Sequence, residues 1–216
     1  QTHEYYTRTK SDGTTDTAYN GNLTSYDVLG RVASKWQADY AGNTWTTRGP
    51  VTQMTYNAFG DVASVVVSGN TIQQNQYDLA GRLTGTTSGD GIWKYFGYDK
   101  NGNQTVAIAS AGGGLGGSFD AALSSVGAAN VNGSYTVYDK RNLATSVVEE
   151  GRQFSVGGAL QNLTTSRSYT AFGEVASETN ALGATISYTY NNMGRMTRSE
   201  SPSVEITLED GTSRWV

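Results

Sequence analysis

Cysteine is absent from this chain, and several classes of function go with it. A small scaffold held by disulfides, a thiol nucleophile and a cysteine metal site are all excluded. Histidine occurs once, at His3, so neither a histidine-based triad nor a histidine metal cluster is available. There are two prolines, and no apolar run approaches the ~18 residues that a membrane span needs. The opening QTHEYYTRTK has neither Met nor the apolar stretch of a signal peptide. A chain that opens on Gln and stops on TSRWV reads as cut from a longer one. Charge is scarce as well: 16% of residues, against about 25% in an average soluble protein. The net charge is −4 and Lys and Arg are nowhere clustered, which argues against a nucleic-acid or anionic-membrane surface.

Aliphatic residues are thin too. Leu, Ile, Val and Phe together make up just under a fifth of the 216 residues. Disorder would also need a high net charge, so the chain is expected to fold, as one domain or two small ones. Glycine (27) and tyrosine (14) are abundant. Tyrosine and β-branched residues must then do much of the packing, which points to sheet.

What is present is one phrase written repeatedly. YDVLGRVASKW begins at Tyr26, YNAFGDVASVV at Tyr56, YDLAGRLTGTT at Tyr77, YDKNGNQT at Tyr98 and YNNMGRMTRSE at Tyr190. Tyr is followed by Asp27, Asn57, Asp78, Asp99, Thr170 or Asn191, and three residues later comes Gly30, Gly60, Gly81, Gly102, Gly173 or Gly194. The side-chain oxygen of Asp or Asn can accept the backbone N–H two residues on, and Gly takes the positive φ that other residues resist. That is a type I turn closed by glycine, joining two antiparallel strands. Successive glycines are mostly 21 residues apart, enough for two strands and two turns. From Gly60 the unit scans as strand DVASVVVS, turn GN, strand TIQQNQY, turn DLAG.

The fold class expected is therefore all-β: consecutive antiparallel hairpins in a curved single-layer sheet, over residues 1–216, interrupted by an irregular insertion at 110–133. YDKRNLATS at Tyr138 reads as a decayed copy, one residue shorter, without Gly and with a different turn. In the insertion, SFDAALSSV suits a short helix with Ser118 as N-cap. Strands such as TIQQNQ are polar on both faces, which suits a single wall with tyrosines stacked on cross-strand neighbours. Open edges of such a wall call for further strands.

The phased phrase Y-D-x-x-G-R-[LV]-T/A, from TAYNGNLTS near Tyr19 to YNNMGRMTR, resembles the tyrosine–aspartate (YD) repeat of Rhs proteins, also found in insecticidal Tc-toxin cocoon subunits and teneurins. That resemblance implies a sheet spiralling into a hollow shell, in bacterial members enclosing a toxic polypeptide for delivery to another cell. It implies secretion or a cell-surface location. Its partners would be the remaining repeats of the parent chain and the enclosed toxin. The family's DPxG self-cleavage motif is missing, since the prolines lie in RGPV and ESPS, so no catalytic residue carries over.

Other chemistry is weaker. Gly112, Gly114 and Gly117, with Asp139 further on, outline a dinucleotide fingerprint, but no alternating βαβ pattern hosts it. A flexible glycine-rich insertion is the better reading. DKNGNQ at Asp99 starts like a calcium loop, then places Gln104 and Ser110 where Gly and Glu are required. Glu149 and Glu150 are neighbours on a strand and face opposite ways. No catalytic, cofactor or metal site is expected. Four N-x-S/T sequons, at Asn22, Asn103, Asn132 and Asn162, matter only in a secretory pathway that glycosylates. Exposed Trp36, Trp45 and Trp93 leave carbohydrate binding as the alternative function.

Overall fold

The computed structural model describes residues 3–41, 43–87, 91–110, 115, 117–128, 131–152, 158–203, 205–207 and 213–215. It divides into two units, Gln1–Trp93 and Lys94–Val216. Gly112 and Gly114 of the glycine run lie outside the described residues.

The first unit is a meander of β1 (His3–Thr9), β2 (Thr15–Tyr26), β3 (Val32–Ala41), β4 (Thr44–Tyr56), β5 (Val62–Val67), β6 (Asn70–Tyr77) and β7 (Leu83–Thr86). Each strand pairs antiparallel with the next. The second unit repeats the scheme with β8 (Lys94–Tyr98), β9 (Gln104–Ser110), β10 (Val131–Tyr138), β11 (Ala144–Arg152), β12 (Gln161–Tyr169), β13 (Val175–Thr179), β14 (Thr185–Tyr190) and β15 (Met196–Glu200). Again every neighbour in sequence is an antiparallel neighbour in space. β16 (Glu205–Thr207) and β17 (Ser213–Trp215) form a separate two-stranded pair. The all-β hairpin reading is correct. Only one helix, α1 (Phe119–Ser124), occurs among the described residues. Its N-cap is Ser118, whose hydroxyl accepts the Ala121 N–H at 3.3 Å.

Little of the chain is buried. Among the described residues the buried hydrophobics are Ala38, Tyr95, Ile108, Leu115, Ala122 and Val131. All but Ala38 belong to the second unit, around the insertion. Tyr95 and Gly97 of β8, Val106 and Ile108 of β9, and Gly133 of β10 share one sheet face by register. A Cβ on Gly97 would sit 3.1 Å from the Phe119 ring, and one on Gly133 would sit 2.7 Å from Val126 Cγ1. The two glycines are bare patches on which the insertion rests. Residues 117–128 therefore form a packed cover rather than a flexible excursion.

Three further expectations shift. Asp139–Asn142 is the ordinary repeat turn, not a shortened one: Asn142 N–H donates to the Asp139 carbonyl at 3.0 Å, and Asn142 holds φ of 63°. Asparagine tolerates the left-handed region better than other residues with a Cβ, so it replaces the glycine at full length. The β5–β6 turn is Ser68–Gly69, one residue earlier than GN, with φ of 49° and 83°. Both central residues in the left-handed region make the twist-matched two-residue hairpin. Tyr19–Leu23 lies inside β2, so YNGNLTS is strand and not a turn.

Candidate functional site: the repeat turns

Seven turns share one geometry, and within each unit they lie at the same end of the strands. In the first, Asp27 Oδ1 accepts the N–H groups of Leu29 and Arg31, each at 2.9 Å. Gly30 N–H returns to the Asp27 carbonyl at 3.0 Å, and Asp27 N–H donates to the Arg31 carbonyl at 2.8 Å. Gly30 holds φ of 77°, where a residue with a Cβ is strained. Asp78 repeats the contacts with Ala80 and Arg82, Asp99 with Asn101 and Asn103, Asp139 with Arg141 and Leu143. Asn57 and Asn191 do the same with a neutral amide oxygen. Thr170 accepts only the Phe172 N–H, at 3.2 Å. Asn180, in ETNALGATIS, builds the same loop at the opposite end of the strands. It escapes a search keyed on tyrosine because Thr179 precedes it.

A second pairing crosses five of the seven turns. Asp27 and Asp78 hold Arg31 and Arg82 through Oδ2–Nε contacts of 2.7 Å, and Asp99 holds Asn103 at 2.8 Å. Where the first residue is a donor, the partner becomes an acceptor. Asn57 Nδ2 donates to Asp61 Oδ2 at 3.0 Å, and the Thr170 hydroxyl donates to Glu174. In these five turns the residue after the glycine complements the residue after the tyrosine, while in the Asp139 turn Leu143 stands at that place and Arg141 pairs with Asp139. This swap is visible in the sequence once the turn is known.

Tyrosine has a task other than ring stacking. Tyr56 Oη donates to the Val32 carbonyl at 2.7 Å and Tyr77 Oη to Val62 at 3.0 Å. Tyr138 reaches Gln104 at 3.1 Å, Tyr169 reaches Ala144 at 2.6 Å, and Tyr190 reaches Val175 at 2.8 Å. Every acceptor is the second residue past the closing residue of the preceding turn. A bulge explains why that carbonyl is available. Ser25 pairs with Ser34 but Tyr26 with Val32, leaving Ala33 extra; pairing of β3 with β4 then starts only at Ser34. The Val32 carbonyl sits beyond that ladder, and the phenol of the next repeat supplies its donor. The bulged residue is always small: Ala33, Ala63, Thr84, Thr105, Thr145, Ala176 or Thr197. Neighbouring turns also touch. Arg31 lies over the Tyr56 ring at 4.4 Å, and Arg141 donates to the Thr170 carbonyl at 2.6 Å.

The turn carboxylates are held below their ordinary range. Backbone N–H donation from Arg31, Arg82 and Leu143 is the main cause at Asp27, Asp78 and Asp139, and the Asn103 amide is the main cause at Asp99. Partial desolvation opposes the shift at each. A group whose folded pKa is depressed stabilises the fold above its unfolded value, about 3.9, and loses that contribution as pH falls through the folded value. The thermal midpoint is therefore expected to hold from neutral pH to about 5 and to fall below about 4. Asp78→Asn combined with Asp27→Asn keeps the backbone contacts that Asn57 makes, so its midpoint should fall less steeply. An unchanged acid slope in the double variant would contradict this account.

The other sequence candidates resolve simply. Asp99 is spent within its turn. Glu149 binds Arg152 at 2.9 Å and Glu150 faces Asn162 at 3.5 Å, on opposite sides of β11. No group of three metal-ligating side chains occurs among the described residues. Tyr19, Tyr40 and Trp45 are register partners on β2, β3 and β4, with ring centroids 5.9 and 5.0 Å apart. Trp36 shares their face by alternation, while Trp93 lies outside the strands.

The RHS Repeat family model matches residues 169–203, which span the turns at Thr170 and Asn191 and the Tyr190–Val175 bond between them. These residues carry an RHS repeat. The turns at Asp27, Asn57, Asp78, Asp99 and Asp139 share its geometry. A solved structure of TcdB2-TccC3-TEV aligns over 99% of this chain and 11% of its own, at 17% identity and a TM-score of 0.46. TcdB2-TccC3-Cdc42 aligns over 90% and 12%, at 14% identity and a TM-score of 0.30. A porin-like protein from Bacteroides uniformis ATCC 8492 aligns over 99% and 92%, at 14% identity and a TM-score of 0.26. This chain thus spans about a ninth of the first two. No curated protein matches it in sequence. No helix among the described residues is long and apolar enough to cross a membrane.

Proposed function

We propose that this chain is a non-catalytic wall segment of a hollow RHS-repeat shell that encloses a toxic polypeptide before its delivery to another cell. The observation that carries the reading is the repeat itself, one turn copied within each unit, with Tyr56, Tyr77, Tyr138, Tyr169 and Tyr190 each bonded to the repeat before. Such a chain specifies an extendable sheet and needs almost no core. The sparse burial fits a wall wetted on both sides, and the polar β6 strand (Asn70–Tyr77) offers no adhesive surface to a cargo. Among the described residues β1 pairs only with β2, and β15 only with β14. Both strands suit pairing with further repeats of the parent chain. Tyr26, which no earlier repeat meets among the described residues, stands 63% exposed. A bacterial, extracellular or cell-surface setting follows from this reading.

Electron microscopy of the intact parent protein tests it. A closed hollow particle with internal density is expected; a solid or extended particle would overturn the shell. A second reading, carbohydrate binding, is favoured by the Tyr19–Tyr40–Trp45 row, with Trp45 40% exposed. In that case Trp45→Ala abolishes saccharide binding while leaving the fold intact.

A further inference from the structure

A cavity of about 430 Å³ opens on β11–β14 beside the Asn180 turn, with Pro202 forming one wall. Register places its main contributors on one face: Val147 opposite Thr165, Arg167 opposite Glu178, and Glu178 opposite Ile186. The volume lies within the roughly 300–1,000 Å³ typical of ligand pockets.

Several polar groups beside it are already engaged. Arg167 Nε donates to Glu178 Oε1 at 2.6 Å, and Tyr188 Oη donates to Glu178 Oε2 at 3.3 Å. The Thr179 and Thr185 hydroxyls bond each other at 2.8 Å. Asn180 Oδ1 is taken by the N–H groups of Leu182 and Ala184. The ion pair leaves the site close to neutral, so a free ion gains little there. What remains is an aliphatic floor, Val147 and Ile186, flanked by the hydroxyls of Thr145 and Thr165 and by N–H donors. Asn180 engages its neighbours through Oδ1 alone, which leaves Nδ2 as a donor, and the Arg167 guanidinium carries donors beyond the Nε that meets Glu178.

We propose that this cavity is a receptor for one apolar side chain of an extended polypeptide, with Arg167 and Asn180 receiving the flanking peptide carbonyls. Charge and hydrogen-bond complementarity select that occupant. A sugar ring favours an aromatic platform, and no aromatic ring lines the cavity. A peptide carbonyl needs donors alone, and a branched aliphatic side chain needs the floor. The lining is the same whether or not the chain belongs to a shell, so the two readings fail separately.

The test is a titration of the ¹⁵N-labelled chain, followed by amide shifts, with N-acetyl-leucine methylamide, its glycine analogue and maltose. The leucine probe should move Val147, Thr179 and Ile186, and the glycine probe should bind roughly tenfold more weakly. Ile186→Glu should abolish the response. Arg167→Gln, a surface change that spares the floor, should weaken it while the remaining spectrum is unchanged. Equal responses to the leucine and glycine probes would overturn the proposal. So would shifts with maltose alone, or no localised shift up to the solubility limit of the leucine probe.

Discussion

Gly151→Ala is expected to destabilise the chain by roughly 2–4 kcal/mol, against about 1 kcal/mol for Gly30→Ala. The two glycines have nearly the same backbone conformation, φ of 75° and 77°. They differ in what surrounds them. Nothing lies within 4 Å of a Cβ built on Gly30, whereas one on Gly151 would meet the Val131 carbonyl oxygen at 2.5 Å. That oxygen belongs to the backbone of β10 and cannot rotate away. The exposed turn glycine therefore reports the conformational term alone, and Gly151 reports that term plus a collision. Chemical denaturation of the two single variants beside the parent chain measures the difference. Equal losses would mean that the contact between Gly151 and β10 does not exist in solution.

The second large effect separates two roles for tyrosine. Tyr190→Phe should cost about 1 kcal/mol, because the Val175 carbonyl loses its donor while the ring stays. Tyr190→Ala should cost roughly 3 kcal/mol, since ring and bond both go. If the ring alone mattered, the phenylalanine variant would be as stable as the parent. Replacing all five bonded tyrosines (Tyr56, Tyr77, Tyr138, Tyr169 and Tyr190) by Phe tests this at larger scale. The sites are separate enough for the losses to add, to roughly 5 kcal/mol. That equals the low end of a domain's whole net stability. The fivefold variant is expected to unfold near room temperature; a small change in midpoint would return the tyrosines to a packing role.

The turns were legible in sequence because their causes are local. The left-handed backbone at Gly81 and the Asp78 oxygen that caps two N–H groups are decided within five residues. The N-cap at Ser118 was legible for the same reason. What failed were matters settled at a distance or by a substitute. The tyrosine hydroxyls find carbonyls 15 to 34 residues away, so the sequence shows the donor and hides the acceptor. Asn142 performs the glycine's task, and counting glycines therefore made that repeat look short. The small residue three places past the turn was recognisable as Thr or Ala, but its reason, a bulge, needs the partner strand. Gly97 and Gly133 carried no signal at all, because their significance is the space they leave for Phe119 and Val126.

The bonded ends and the free ends of the strands are built to different tolerances. At each of the seven bonded turns five residues separate the strands, from 27–31 through 191–195. At the other end the separation runs from two residues, between β3 and β4, to twenty, between β9 and β10. A change of length at a bonded turn would misplace a phenol relative to its carbonyl and break two repeats at once. A change at the other end disturbs only its own hairpin. Within each unit the row of bonded turns is thus the invariant part: novelty accumulates at the other ends of the strands, and a new segment grafted there would be accepted without renegotiating the rest.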